Sequence, residues 1–421
     1  MVQGADRPAR SRPRRGRGRP GPLHPLCEFR LVITPRAAAM IRTGGFYAAL
    51  FGALGAHLPF WPLWLSDWGL SDGEIGAYLG AGIVLRLAAG LGLPVLADRR
   101  EARRLTLGLV AGVGAALFVA HLAVGSKLAL LALTMLTAGV FSAMIPISDA
   151  LTGAAARVHD FEYAPVRAVG SAAFLAMNLG LGAALAFAGT DAILWVIVLC
   201  LLAAAALGAT HPGGGKVKGA ARPTFAEMRR LVTGRVFLTF TAAAGLAQAS
   251  HGVIYAYGSV HWRALGVPEA TIGMLWAAGV AVEVVLMAAF GPWLVRRFRP
   301  SGAIALAGGV GVVRWAAMTF DPEGAFLWVL QASHALTFAA AHLGIIAFIA
   351  RGAPDRLAGA AQAVMQAFGT GILMAVASGA AAIAYPWLGA GAWWIAVAMS
   401  AAALILAVSA RKMWDGGPLP A

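Results

Sequence analysis

At 421 residues a soluble chain would divide into two or three domains, but 60% hydrophobic residues, 12% charged residues and a mean hydropathy of +0.75 describe a polytopic membrane protein instead. A transmembrane helix takes about 20 apolar residues and a short connection about 5 to 10 more, so the chain from Met40 onward has room for roughly twelve spans, which excludes a soluble enzyme or a single-anchor protein. The net charge of +15 matches a nucleic-acid binder in size but not in position: nine Arg against Asp6 and Glu28 fall within residues 1–39 and most of the remainder in short connections, so no nucleic-acid partner is expected.

Residues 1–39 lack the apolar core of a signal peptide and read as a basic disordered leader, or as sequence upstream of a true start at Met40. Apolar runs then predict helical spans one to six at 43–66, 74–97, 105–124, 128–156, 165–188 and 191–210. A polar linker, 211–235, follows; it holds Gly213, Gly214, Gly215, Lys216, Lys218, Arg222 and Pro223 and then a short helix over Phe225–Val232. Spans seven to twelve are predicted at 236–261, 270–295, 301–320, 325–350, 357–384 and 390–410. The expected architecture is all-α: twelve transmembrane helices in two pseudo-symmetric six-helix bundles, 40–210 and 236–412, closed by a tail at 413–421. Long unbroken runs exclude a transmembrane β-barrel, which would alternate in short segments. Cys27 and Cys200 offer neither a disulfide framework nor a metal spacing, so no metal or other cofactor is expected.

The connections after even-numbered spans, with the tail, carry the Lys and Arg, including Arg99, Arg100, Arg103, Arg104, Arg229, Arg230, Arg296, Arg297 and Arg299, whereas the odd ones hold only Lys127 and Arg263. Positive residues stay inside, so both termini are expected to be cytoplasmic. Asp67, Asp72, Glu74, Asp191, Asp321 and Glu323 then face outward. An internal repeat supports two parallel halves: Trp68-Gly69-Leu70 through Ile75-Gly76 matches Leu265-Gly266-Val267 through Ile272-Gly273 at an offset of 197 residues, and the same offset lays Arg86 on Glu283. Parallel six-helix repeats are a transporter architecture, with the substrate site between them near the midplane.

A charge at the bilayer centre costs about 2.5 to 3.5 kcal/mol on insertion scales, so each one needs a partner, water or a task. Four stand well inside predicted spans: Arg86 in span two, Asp149 in span four, Glu283 in span eight and Arg314 in span nine. His57, His251, His334 and His342 add titratable rings. Glu283, Arg314 and His334 lie on three consecutive spans at similar depth. Buried bridges that fix helix register would explain them; so would proton coupling, with Glu283 as carrier, Arg314 as the positive charge and His334 as a hydrogen-bond relay or substrate contact. Asp149 follows Pro146, and Arg167 opens span five. Arg167 is either a positive-inside anchor or a guanidinium able to bind a carboxylate or sugar hydroxyls bidentately, held in place by Asp149. Phe60, Trp61, Trp64, Phe174, Tyr255 and Tyr257 are candidates for a stacking wall.

These residues resemble the major facilitator superfamily. Pro94 to Arg104 is similar to its signature between spans two and three, with Asp98, Arg99, Arg103 and Arg104 in place but without the glycine usual between the basic residues, and these four together with Arg86 are the expected gating or structural residues. Leu58-Pro59-Phe60-Trp61, Pro146 to Leu151, Val166-Arg167, Gly170-Ser171, His251-Gly252, Val282-Glu283-Val284, Gly311 to Trp315 and the stretch around His334 and His342 resemble the phenylpropionate permease family. More distantly they resemble lactose permeases, in which the matching acid and arginine, here Asp149 and Arg167, bind substrate, and the residues matching Glu283, Arg314 and His334 belong to the coupling network. There the histidine is followed three residues later by an acid; here that position is Thr337. The resemblance implies no enzyme but a monomeric inner-membrane symporter, which imports a small aromatic or other organic acid with protons. Asp149, Arg167, Phe174, His57, His251 and Tyr255 would meet the substrate. A sugar or nucleoside is the alternative cargo. No Walker A loop is present for ATP-driven transport by the chain alone.

Overall fold

The computed structural model describes residues 34–213 and 225–420; the basic leader and the linker stretch containing Lys216, Lys218, Arg222 and Pro223 lie outside the described residues. Among the described residues every regular element is a helix. The first half contains α1 (Pro35–Asp67), α2 (Asp72–Ala81), α3 (Ile83–Arg99), α4 (Arg103–Ala120), α5 (Lys127–His159), α6 (Tyr163–Ala188) and α7 (Asp191–Ala209). The linker helix is α8 (Phe225–Thr233). The second half contains α9 (Arg235–Ala249), α10 (Gly252–Ala264), α11 (Glu269–Val285), α12 (Gly291–Met318), α13 (Gly324–Ala332), α14 (Ala340–Gly352), α15 (Asp355–Gln366), α16 (Met374–Leu388) and α17 (Trp393–Met413). Each predicted span coincides with one or two of these helices. The first begins earlier than its apolar run, at Pro35, where a fixed φ suits the first helical turn.

Nine described stretches are long and apolar enough to cross a membrane, ten when α8 and the helix that follows it at a 64° bend are counted together. Two of the nine, Glu269–Met318 and Ala361–Met413, run for 50 and 53 residues. At about 1.5 Å per residue each is more than twice the roughly 30 Å of hydrocarbon. The first is broken at Arg299, where φ 58° and ψ 169° leave the helical region just before Pro300. The proline ring disfavours helical backbone in the residue before it. Short polar caps set other boundaries: Ser71 and Glu74 cap each other's backbone amides at the start of α2, and Asp160 closes α5 in the left-handed region at φ 53°.

Within the first half α1 lies on α6 and α7, α3 on α5 and α4 on α7; within the second, α12 lies on α14 and α17, and α17 on α9. The halves meet through α6 on α11, α2 on α16 and α1 on α10. The repeated glycines sit at these crossings. A Cβ on Gly76 would collide with the Tyr257 hydroxyl and with Ala382 of α16, and one on Gly273 would collide with the carbonyl of Asn178 in α6. Both meetings lie toward the end of the molecule that carries Asp67, Asp72, Asp191 and Asp321, here the acidic end; the opposite one is the basic end. One apolar core fills the first half and continues into the second at the acidic end through Val253, Tyr257, Trp262, Ile272 and Tyr385. A separate core, built on Phe237, Phe240, Ile304 and Phe348, belongs to the second half alone.

Candidate functional site

The second-half cluster is built on α10 to α14. Arg314 of α12 is buried, and its Nη1 donates to Thr337 Oγ1 at 2.8 Å while Nη2 donates to Gln331 Oε1 at 3.0 Å. Its guanidinium also lies 4.3 Å from the Trp315 ring and 3.4 Å from His334 Nδ1. His334 Nε2 faces Glu283 Oε2 at 3.4 Å, with 14% of the Glu283 side chain exposed to solvent. His251, fully buried, gives its Nδ1 hydrogen to the Gln248 carbonyl at 3.0 Å, which leaves Nε2 of the neutral ring to accept from Thr337 Oγ1 at 3.0 Å. Tyr255, one turn after His251, stacks between it and Trp276.

The backbone itself is wound differently around this cluster. Turns of π-helix run from Leu286 to Phe290, just after Glu283, from Ala335 to Ala339, across Thr337, and from Ala367 to Leu373 in the next span. The wider turn shifts the residues after it around the helix axis and recurs at functional sites.

In the first half Asp149 Oδ1 accepts from Tyr47 OH at 2.6 Å and Tyr163 OH at 3.0 Å. Arg167 does not pair with it. Its guanidinium lies 3.9 Å from the centre of the Phe51 ring and 5.3 Å from that of Tyr47. The expectation that Asp149 holds Arg167 is therefore corrected: two phenols satisfy the carboxylate, and the planar guanidinium lies over an aromatic face instead. Arg167 in turn is close enough to Glu283 and His342 of the second half for its charge to act on both. Asp149, Arg167, Glu283, His342 and Tyr255 are all half-buried.

The remaining candidates lie elsewhere. His57 stacks on Trp61 and packs at 4.9 Å against Phe141 in an aromatic cluster with Phe118 and His121. Phe174 is buried where α6 crosses α1, its carbonyl accepting from Asn178 and lying against Gly55. Arg86 is half-buried on α3, and its carbonyl accepts from Ser142 Oγ. Arg104 donates to the carbonyls of Gly213 and Pro212, tying the end of α7 to the start of α4. Arg103 is in α4, and the side chains of Asp98 and Arg99 lie outside the described residues.

At the acidic end the halves are locked by polar contacts that sequence reasoning missed. Arg263 grips Asp67 of the other half with two hydrogen bonds, at 2.8 and 3.3 Å, and Glu269 of its own half at 3.1 Å. Tyr257 OH donates to the Asp72 carbonyl at 2.6 Å. Tyr385 stacks on Tyr257 and meets His261, which also holds Asp321 at 2.8 Å. A gap of 196 residues between Asp67 and Arg263 leaves no local pattern to read.

A family model described as "MFS_1 like family" matches residues 40–396. The chain belongs to the MFS_1 like family. The chain is 30% identical over 371 residues to a probable 3-phenylpropionic acid transporter of Escherichia coli (strain K12), covering 86% of this chain and 95% of that one. It is 28% identical over 333 residues to a maltose permease of Geobacillus stearothermophilus, covering 78% and 83%. The structure of the nucleoside transporter NupG superposes with a TM-score of 0.73 at 14% identity, covering 90% of this chain and 99% of that one, and a bacterial homologue of the human lysosomal transporter Spinster, in an inward-facing unoccupied conformation, with a TM-score of 0.61. Family and fold place this MFS_1-like protein among multi-pass membrane transporters rather than enzymes.

Proposed function

We propose that the protein is a proton-coupled symporter that imports a small aromatic or other organic acid across a cell's inner membrane by alternating access. The observation that carries this reading is the set of ionisable groups held inside both halves, Tyr47, Asp149 and Arg167 in the first and Glu283, His334 and Arg314 in the second, with the charge of Arg167 acting on Glu283. In this reading Glu283 is the proton carrier, because it is the carboxylate placed between a first-half cation and a second-half imidazole, so either charge state has a partner. Arg314, held by Thr337 and Gln331, fixes the orientation of His334, and Tyr255 and His251 supply an aromatic wall beside Glu283.

Both termini are assigned to the cytoplasm, which makes the acidic end the outer face and its closed mouth the outer gate. The count of twelve spans takes the bent pair as a tenth crossing stretch and each of the two stretches of 50 and 53 residues as two crossings. Relationship to a phenylpropionic acid transporter supports the acid as cargo. Relationship to a maltose permease supports a sugar as the second reading, in which the carboxylate of Asp149 would accept from hydroxyls.

Uptake of labelled 3-phenylpropionate into right-side-out vesicles tests the reading. Collapse of the proton gradient should abolish accumulation, and Glu283→Gln should do the same while leaving exchange of internal for external substrate. Accumulation that survives a protonophore rejects coupling, and normal uphill transport by the Gln variant removes Glu283 as carrier. Selective uptake of maltose, with none of the acid, would move the assignment to the sugar.

A further inference from the structure

The three guanidiniums at interior positions are not equally provided for. Arg314 has a hydroxyl, an amide oxygen and an indole face. Arg167 has two aromatic rings and the nearby charge of Glu283. Arg86 has neither: among the described residues its side chain makes no hydrogen bond or ion pair, although it is half-buried in the protein. Arginine cannot shed its proton to escape this situation. Interior charge is unbalanced by the same amount, with three guanidiniums against the carboxylates of Asp149 and Glu283.

Packing around α3 fixes where Arg86 lies. Leu85 and Ala89 face Gly139 of α5, and Leu87 faces Gly371 in the π-helical turn of the second half, so α3 is held between the two halves. Arg86 falls between those two faces of the helix at 100° per residue. It is also near enough for its charge to act on His57 of α1, whose half-buried ring packs against Phe141. Among the described residues no carboxylate pairs with it, and His57 and His121 are the titratable rings that act on one another in this corner. The repeat adds an independent argument: Arg86 occupies the position that Glu283 occupies in the second half, each ten residues after an inter-half glycine, so the proposed proton carrier has a fixed cation as its counterpart.

We propose that the Arg86 guanidinium is the subsite for the carboxylate of an organic-acid substrate, whose apolar body packs against His57 and Phe141. The inference rests on the organic-acid reading given above. Substrate then supplies the missing negative charge, and a planar fork suits a carboxylate with two parallel hydrogen bonds. Charge balance also links binding to transport, since the empty site holds an uncompensated cation and the loaded one does not.

The test compares binding of 3-phenylpropionate with that of its neutral amide, by calorimetry on the purified full-length protein, for the unaltered chain, Arg86→Gln and Arg86→Lys. The unaltered protein should prefer the acid. Arg86→Gln should lose at least tenfold in affinity for the acid and keep its affinity for the amide, which also shows that the variant is folded. Arg86→Lys should fall between, because a point charge replaces the fork. An unchanged acid-to-amide ratio in either variant overturns the subsite. Should the Gln variant fail to fold, the ratio in the Lys variant decides alone. Failure of the unaltered protein to bind any aromatic acid would instead reject the organic-acid reading itself, so the two failures are distinct.

Discussion

Thr337 stands where the resembled lactose permeases carry an acid, and here one hydroxyl accepts from Arg314 and donates to His251. Thr337→Val keeps the shape and removes both bonds, leaving one buried N–H of Arg314 Nη1 without an acceptor and the buried Nε2 of His251 without a partner. The expected cost is about 1 to 3 kcal/mol for each group left unsatisfied. Thermal unfolding of the purified protein should therefore show a clear drop in Tm, and no change would mean that other groups take over both bonds. At this scale the sequence revealed charges and concealed their neutral partners. Glu283, Arg314 and His334 stand out because a charge in an apolar run is costly, and the structure brings them together. Tyr47, Tyr163 and Gln331 carry as much of the geometry, but a phenol or amide in such a run costs little and leaves no mark in composition. Phe174 was singled out for its chemistry, yet it is buried at a helix crossing, because ring area is also what fills a core.

Helices were legible as apolar runs, and their internal irregularity was not. The π-helical turns after Glu283 and across Thr337 have no residue signature in the sequence, since they answer to tertiary packing. Glycines at crossings were half legible. The offset of 197 residues paired Gly76 with Gly273, and the structure gives the reason: each allows a helix of one half to touch a helix of the other. Gly273→Val should force α11 away from the Asn178 carbonyl, a backbone atom that cannot rotate aside. The closed mouth is then disfavoured. A cysteine in place of Ala382, buried against α2 at the companion crossing, reports the result from a distance. Its labelling by a membrane-impermeant maleimide should be slow in the parent and much faster with Gly273→Val, while substrate uptake falls. Unchanged labelling would show that the two crossings do not open together.

For the molecule as a whole, the acidic end is where the two halves share one apolar core, and Arg263 with Asp67 closes the rim of that contact. The pair is partly exposed, at 30% and 43% of the side chains, so solvent screens it and its worth is held to about 1 kcal/mol or less. A transporter needs gates of this strength. A stronger lock would hold one conformation against the substrate, and 1 kcal/mol moves a two-state ratio by only about fivefold. Asp67→Asn and Arg263→Gln should each raise labelling of the Ala382→Cys reporter by up to about fivefold. In the double variant the effects should not add, because both remove the same contact. Asp67 also accepts from Thr190 and Arg263 also holds Glu269, so each single change has a private share that the double-mutant cycle subtracts. A coupling near zero would place closure of the acidic end wholly in the shared apolar core and the glycine crossings. A coupling of several kcal/mol would mean the pair is dehydrated in the closed state, and its rupture, rather than helix separation, would then limit the transport cycle.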